Sequence, residues 1–186
     1  RDFWSNANLY RDRGDIAYAQ KAKQVLWAVL QQYQDDPARA VTWPEETTSN
    51  SIGPAWDVLE ECPVFSDEDR LWASNTLLMV NYELTRHVSG WGKQADNDTI
   101  TWNHTTFPIL GIFWLSRYFQ RWYGDVDSKI AMMMAEVEGC FRGQLKSWKP
   151  QCDADGYLTI VPRHLMEYTL AQNDYSWFES GKCRQF

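Results

Sequence analysis

From Thr101 to Tyr123 the chain reads TWNHTTFPILGIFWLSRYFQRWY. Ile109, Leu110, Ile112, Phe113, Trp114, Leu115, Tyr118, Phe119, Trp122 and Tyr123 leave no wide polar face before Arg117. A helix that is apolar on nearly every side belongs in the middle of a protein, so the rest of the chain must be arranged around this one. Pro108 fits the first turn of such a helix, where a missing N–H costs little, and Thr105 or Thr106 can cap it. Asn103 and His104 then sit just ahead of a buried helix, at the positive end of its dipole. An Asn-His pair there can hold an anion and can also carry protons. The alternative for the same pair is a capping network around a satisfied, buried histidine.

The remaining composition narrows what could surround that helix. With 186 residues, 44% of them hydrophobic, the chain can build one domain with a real core and is not a disordered segment. Eleven Trp suggest indole faces available to sugar rings, although most are expected in the core. The net charge is −7 and no Lys/Arg block stands out, which argues against nucleic acid as a partner but leaves an acidic ligand open. No apolar run reaches membrane-spanning length. Cys62, Cys140, Cys152 and Cys183 form no C-x-x-C pair, so no metal site is expected, and both buried thiols and disulfides remain possible. Nothing in the sequence calls for a cofactor. The chain opens on Arg1, and Asn97-Asp98-Thr99 and Asn103-His104-Thr105 are glycosylation sequons. The expectation is a secreted or periplasmic protein whose leader has been removed.

In chain order, residues 1–14 predict a short helix and Asp15 to Tyr33 an amphipathic one, with Ala19, Ala22, Leu26, Val29, Leu30 and Tyr33 at helical spacing. Residues 37–53 read as a loop too long to be a plain connector, followed by a short helix begun by Pro54. Ser66-Asp67-Glu68-Asp69 starts a helix that runs to about His87. Residues 93–103 read as a polar loop, and 125–145 as another amphipathic helix. A loop over 147–162 follows, with a brief extended piece at Tyr157 to Val161, and then short helices at 163–171 and 174–180. Almost nothing signals a strand. The 105–123 helix reads as inner, and 67–87 and 126–145 as outer. This alternation predicts an all-α fold of helical hairpins arranged as an incomplete α/α toroid, with an up-down bundle as the rival.

The segment Trp102-Asn103-His104-Thr105-Thr106-Phe107-Pro108-Ile109-Leu110-Gly111, followed by Arg117-Tyr118-Phe119, resembles the α/α-toroid polysaccharide lyases, the group that includes heparinase II/III-like and alginate-lyase-like enzymes. The stretch from Trp43-Pro44-Glu45-Glu46 through Asn50-Ser51-Ile52-Gly53-Pro54-Ala55-Trp56-Asp57 looks like the rim loop of an active site in such proteins. The resemblance implies β-elimination on a uronate-containing polysaccharide. Toroids of this kind are normally much longer and often carry a β-rich second domain. Residues 1–186 are therefore expected to form a single helical domain that is part of a larger catalytic one. Elimination needs the uronate carboxylate neutralised, its C5 proton taken by a base, and the leaving oxygen protonated. By the resemblance, Asn103 neutralises the carboxylate and His104 acts as base. A tyrosine serves as acid or base, with Tyr168 the first choice and Tyr82, Tyr157 and Tyr175 as alternatives.

Two further basic pairs could serve the same site. Arg163-His164 opens a short helix after Pro162, where the dipole does not favour cations, which points to a ligand role. Arg86-His87 lies in the last turn of a helix, where the dipole alone can explain it. Trp43, Glu46, Asn50, Trp56 and Trp102, with Arg86 and His87, complete the expected substrate-binding set. A glycoside hydrolase on the same architecture would need two carboxylates flanking the bond. Glu45, Glu46, Asp57, Glu60 and Glu61 supply candidates, but no pair stands out. A non-catalytic helical scaffold or carbohydrate-binding domain would account for the helices but not for the polar pair at the mouth of the most buried one.

Overall fold

The structure, a computed structural model, describes residues 3–42, 46–89, 103–124, 128–146 and 160–185; for Glu46, Asn103, His104, Thr105 and Gln185 the description is of the backbone. Among the described residues all regular structure is helical, as the sequence predicts. The helices are α1 (Phe3–Arg13), α2 (Ile16–Asp35), α3 (Glu46–Leu59), α4 (Asp67–Val88), α5 (Asn103–Tyr123), α6 (Lys129–Lys146), α7 (Ile160–Ala171) and the short α8 (Ser176–Glu179). 3₁₀ turns lie at Pro37–Val41 and Lys182–Gln185.

Local chemistry accounts for the clearest boundaries. Asp15 caps α2 by accepting the Ala17 N–H at 2.9 Å. Ser66 and Asp69 form a reciprocal capping box on α4. The Asp69 N–H meets Ser66 Oγ at 3.1 Å, and the Ser66 N–H meets the Asp69 carboxylate at 3.0 Å. Lys23 of α2 reaches the same carboxylate and the Val64 carbonyl, and this hydrogen bond from Lys23 holds the Asp69 carboxyl below its usual range.

Three boundaries differ from the sequence reading. The expected loop over 37–53 is instead a 3₁₀ turn and the first half of α3, which runs straight through Pro54. Thr, Ser and Asn at 47–51 are weak helix formers, and Gly53-Pro54 reads as a breaker. Burial overrides both, because Ser49, Ile52, Ala55 and Trp56 are fully enclosed. Helix α5 begins at Asn103, so Pro108 lies inside it and the Asn-His pair occupies its first turn rather than the approach to it. Helix α7 begins at Ile160, which removes Ile160 and Val161 from the expected extended piece; Tyr157 to Thr159 lie outside the described residues.

The helices form two layers. α3 runs parallel to α5: Ser49 lies against Gly111, Gly53 against Leu115, Trp56 against Tyr118, and Glu60 against Tyr123. α7 runs parallel to α5 on its other side, with Thr106 against His164, Trp114 against Glu167 and Arg117 against Ala171. α1 packs on α2 and α3, with Tyr10 beside Cys62 just past the end of α3. α2 and α4 are parallel to each other in the second layer, matched at Lys23–Asp69, Trp27–Trp72 and Gln34–Thr76. α4 is antiparallel to α5, with Ser74 near Tyr118 and Asn81 on Ser116. α5 touches α3, α4, α6 and α7, the central place its sequence requires. Its last turn leaves the core, however, with Trp122 54% and Tyr123 43% exposed.

The α3–α5 crossing is close enough to need glycine on both sides. A Cβ on Gly53 would lie 3.2 Å from the Leu115 backbone nitrogen, and one on Gly111 would lie 3.1 Å from the Ser49 carbonyl. Valine is a somewhat better helix former than glycine, so a loss of stability in Gly111→Val would come from packing rather than from propensity. The expected result is a loss of roughly 1–3 kcal/mol, read as a lower Tm in thermal denaturation followed by circular dichroism. An unchanged Tm would mean that the two helices can move apart.

Candidate functional site

Because α3, α5 and α7 are parallel, their N-terminal turns lie at one end of the first layer. The chain enters these helices through segments ending at 45, 102 and 159, whereas the connections at the opposite end, 60–66 and 124–128, are short. Each N-terminal turn is the positive end of a helix dipole, so three such ends side by side favour an anion more than one does. The antiparallel α4 brings its C-terminal turn to the same end, and Arg86 and His87 with it.

The residues expected from sequence divide accordingly. Asn103 and His104 are in the first turn of α5, and Glu46 opens α3. Asn50 is half-buried one turn further along α3, and Arg163 is exposed in the first turn of α7. These five share the end where the N-termini gather. Arg86 and His87 are exposed nearby, and Arg86 donates to the Glu83 carboxylate within its own helix, which lowers the pKa of Glu83. Trp43, Trp102 and Tyr157 lie outside the described residues.

Other expected residues are placed elsewhere. Trp56 has no open face for a sugar: it is fully buried against Trp27 and Phe65, and its indole N–H reaches Tyr118 Oη at 3.0 Å and Ser74 Oγ at 3.2 Å. His164 is 2% exposed, with Nδ1 2.7 Å from Thr106 Oγ1 and the Phe107 ring edge-on. Burial, with the adjacent Arg163 charge adding to it, lowers its pKa to about 4, so it ties α7 to α5 as a neutral imidazole. Thr106, a candidate cap in sequence, is thus a partner of His164 within the helix. Tyr168 stacks on Phe141 of α6 at 4.2 Å between ring centres, turned toward the second layer, and burial raises its pKa. Its side chain lines a groove of about 480 Å³ with Glu138, Arg142 and Lys182, away from the Asn-His turn. Of the other tyrosines, Tyr175 is 52% exposed after α7, and Tyr82 is half-buried beneath the Lys129 ammonium.

A second group was not singled out in the sequence. On the exposed flank of α5, Trp114, Arg117 and Arg121 follow one another at helical spacing and line a cavity of about 140 Å³ with Pro54 and Asp57 of α3. The signal was there, since Arg117 is the first charge in the apolar run and Arg121 is one turn on. In sequence Arg117 marks the end of the apolar run and belongs to the motif that resembles the lyases, and neither feature marks it as part of a separate surface.

Among the described residues no cluster of His, Cys, Asp and Glu side chains could hold a metal ion, and no helix is long and apolar enough to cross a membrane. Cys62, Cys140 and Cys183 are free thiols, and burial pushes the Cys140 thiol up to about 12. No known protein family, curated protein or solved structure matches the chain.

His164 gives a pH signature. An unfolded histidine protonates near 6.5, whereas the folded one resists until about 4. Its effect is absent above pH 6.5. As the pH falls from there toward 4 the unfolded state binds the proton first and stability is lost, by roughly 3 kcal/mol at the lower end. Chemical denaturation at pH 7.5 and pH 4.5 should show this loss in the wild type. It should be much smaller in His164→Gln, which cannot titrate, and equal losses in both proteins would place the acid sensitivity elsewhere.

Proposed function

We propose that the chain is an arc of an α/α toroid, with α1, α3, α5 and α7 as inner helices and α2, α4 and α6 as outer ones. We further propose that it is a polysaccharide lyase that cleaves a uronate-containing polysaccharide by β-elimination. The observation that carries this reading is the gathering of the α3, α5 and α7 N-termini at one end, with Asn103 and His104 opening the most buried of the three. Parallel inner helices joined through antiparallel outer ones are what a toroid requires, and an up-down bundle has no such parallel neighbours.

The chemistry follows from that end of the molecule. A uronate carboxylate raises the barrier to losing the C5 proton until its charge is offset. In this reading the helix N-termini and the Asn103 amide supply the offset, and Arg163 adds a fixed positive charge beside them. In the same reading His104 takes the proton. The acid that protonates the leaving oxygen is assigned to a tyrosine other than Tyr168, whose ring faces the second layer; Tyr157, in the segment that enters α7, is the sequence candidate. Such a substrate is extracellular, in keeping with a secreted or periplasmic protein. The hydrolase reading is less favoured, because Asp57 and Glu60 accept from Trp122 and Tyr123 at the other end of the layer.

Incubation with glucuronan, alginate, ulvan and glycosaminoglycans separates the alternatives. A lyase yields ultraviolet-absorbing unsaturated uronate together with new reducing ends. Reducing ends without absorbance would point to a hydrolase, and neither product would remove the enzymatic reading. Asn103→Ala and His104→Ala are each expected to cut turnover by about 10²–10⁴-fold with little change in Tm. Early melting with normal turnover per folded molecule would instead make the pair a structural cap.

A further inference from the structure

We infer that the C-terminal half of α5 carries a second binding site, for an acidic sugar, at the far end of the first layer from the Asn-His turn. At a rise of 1.5 Å per residue, Arg117 and Arg121 lie about 21 and 27 Å along α5 from Asn103. The class of sugar rests on the lyase reading, but the site itself does not.

Two indoles and two guanidiniums lie together here, and each indole is fixed by a carboxylate from a neighbouring helix. Trp114 donates its N–H to Glu167 of α7 at 2.7 Å, and Trp122 donates to Asp57 of α3. The rings are therefore oriented before any ligand arrives, which lowers the entropy lost on binding. Those carboxylates accept from the indoles and make no ion pair with the arginines, although Asp57 borders the same cavity. Arg117 donates to the Ala171 carbonyl at 2.6 Å and lies over the Phe113 ring. Arg121 lies over the Trp122 ring at 4.6 Å. Among the described residues neither arginine is ion-paired, in a chain whose net charge is −7. Both border the cavity between α3 and α5.

That combination selects its ligand. Guanidinium forks bind carboxylate or sulfate through paired hydrogen bonds, and more than one N–H on each arginine remains for that use. Trp122, more than half exposed, offers an apolar ring face beside them. A simple inorganic anion would use the arginines and not the indole, whereas a neutral sugar would use the indole and not the arginines. A uronate or sulfated sugar uses both.

The test is calorimetric titration of the His104→Ala protein, in which turnover is disabled, with a linear β-1,4-glucuronate tetrasaccharide. Cellotetraose, which differs from it at the C6 carboxylates, serves as the neutral control. Arg121→Gln and Trp122→Ala change exposed side chains, and their helical circular dichroism should match the parent. Each is expected to weaken the acidic tetrasaccharide about tenfold or more. Cellotetraose should bind far more weakly to all three proteins, and added salt should weaken only the acidic ligand. Unchanged affinity in Arg121→Gln would overturn the site, as would equal binding of cellotetraose. Free sulfate displacing the tetrasaccharide at equal concentration would reduce it to a non-specific anion contact and overturn the sugar assignment. These outcomes do not depend on turnover, so they stand apart from success or failure of the lyase assay.

Discussion

The approach of α3 to α5 sets the spacing of everything else. With glycine at 53 and 111, the two backbones meet at ordinary van der Waals distance rather than across a layer of side chains. Trp56 of α3 then reaches Tyr118 of α5 and Ser74 of α4 with one indole N–H, so three helices are joined at a single buried point. Tyr118 is buried deeply enough that its hydroxyl stays protonated and passes the network on to Tyr123 and Glu60. On the other flank the neutral His164 and the Trp114–Glu167 bond set α7 beside α5. The direction of the first layer thus rests on contacts made by one helix.

Much of this fold was legible in the sequence, and the reasons differ by element. Helices α2, α4 and α6 were readable because their apolar positions repeat at helical spacing and their ends carry strong caps such as Asp15 and Ser66. Helix α5 was readable as central because it is apolar on nearly every side. Helix α3 was half missed, since Thr47 to Ser51 and Gly53-Pro54 argue locally for a loop. Only the close packing against α5 makes a helix the better solution there. That packing belongs to the tertiary structure, and no local window of residues contains it.

The functional residues show the same division. That Asn103, His104, Arg163, Glu46 and Asn50 share one end follows from the parallel order of three helices, and helical hairpins predict that order once their number is known. Whether a side chain faces the cleft or the core is a separate question. Trp56, His164 and Tyr168 have suitable chemistry but point into the packing. Periodicity placed His164 next to exposed Arg163 without saying which of the two faces inward. Trp114 and Arg117 were hidden by the opposite error, because an almost wholly apolar helix was expected to have no working surface.

The unequal connections at the two ends have a consequence for how such a protein can diversify. The links 60–66 and 124–128 are the short ones, joining α3 to α4 and α5 to α6, so inserting residues there would displace pairs such as Trp56 with Ser74 and Ser116 with Met133. The links into α3, α5 and α7 are longer, spanning 36–45, 89–102 and 147–159. Lengthening a flexible loop is cheap, at about 0.6 kcal/mol for each doubling. A longer link at that end adds chain beside the Asn-His turn without altering the short links, so ligand preference can change there at little cost to the pairs they set.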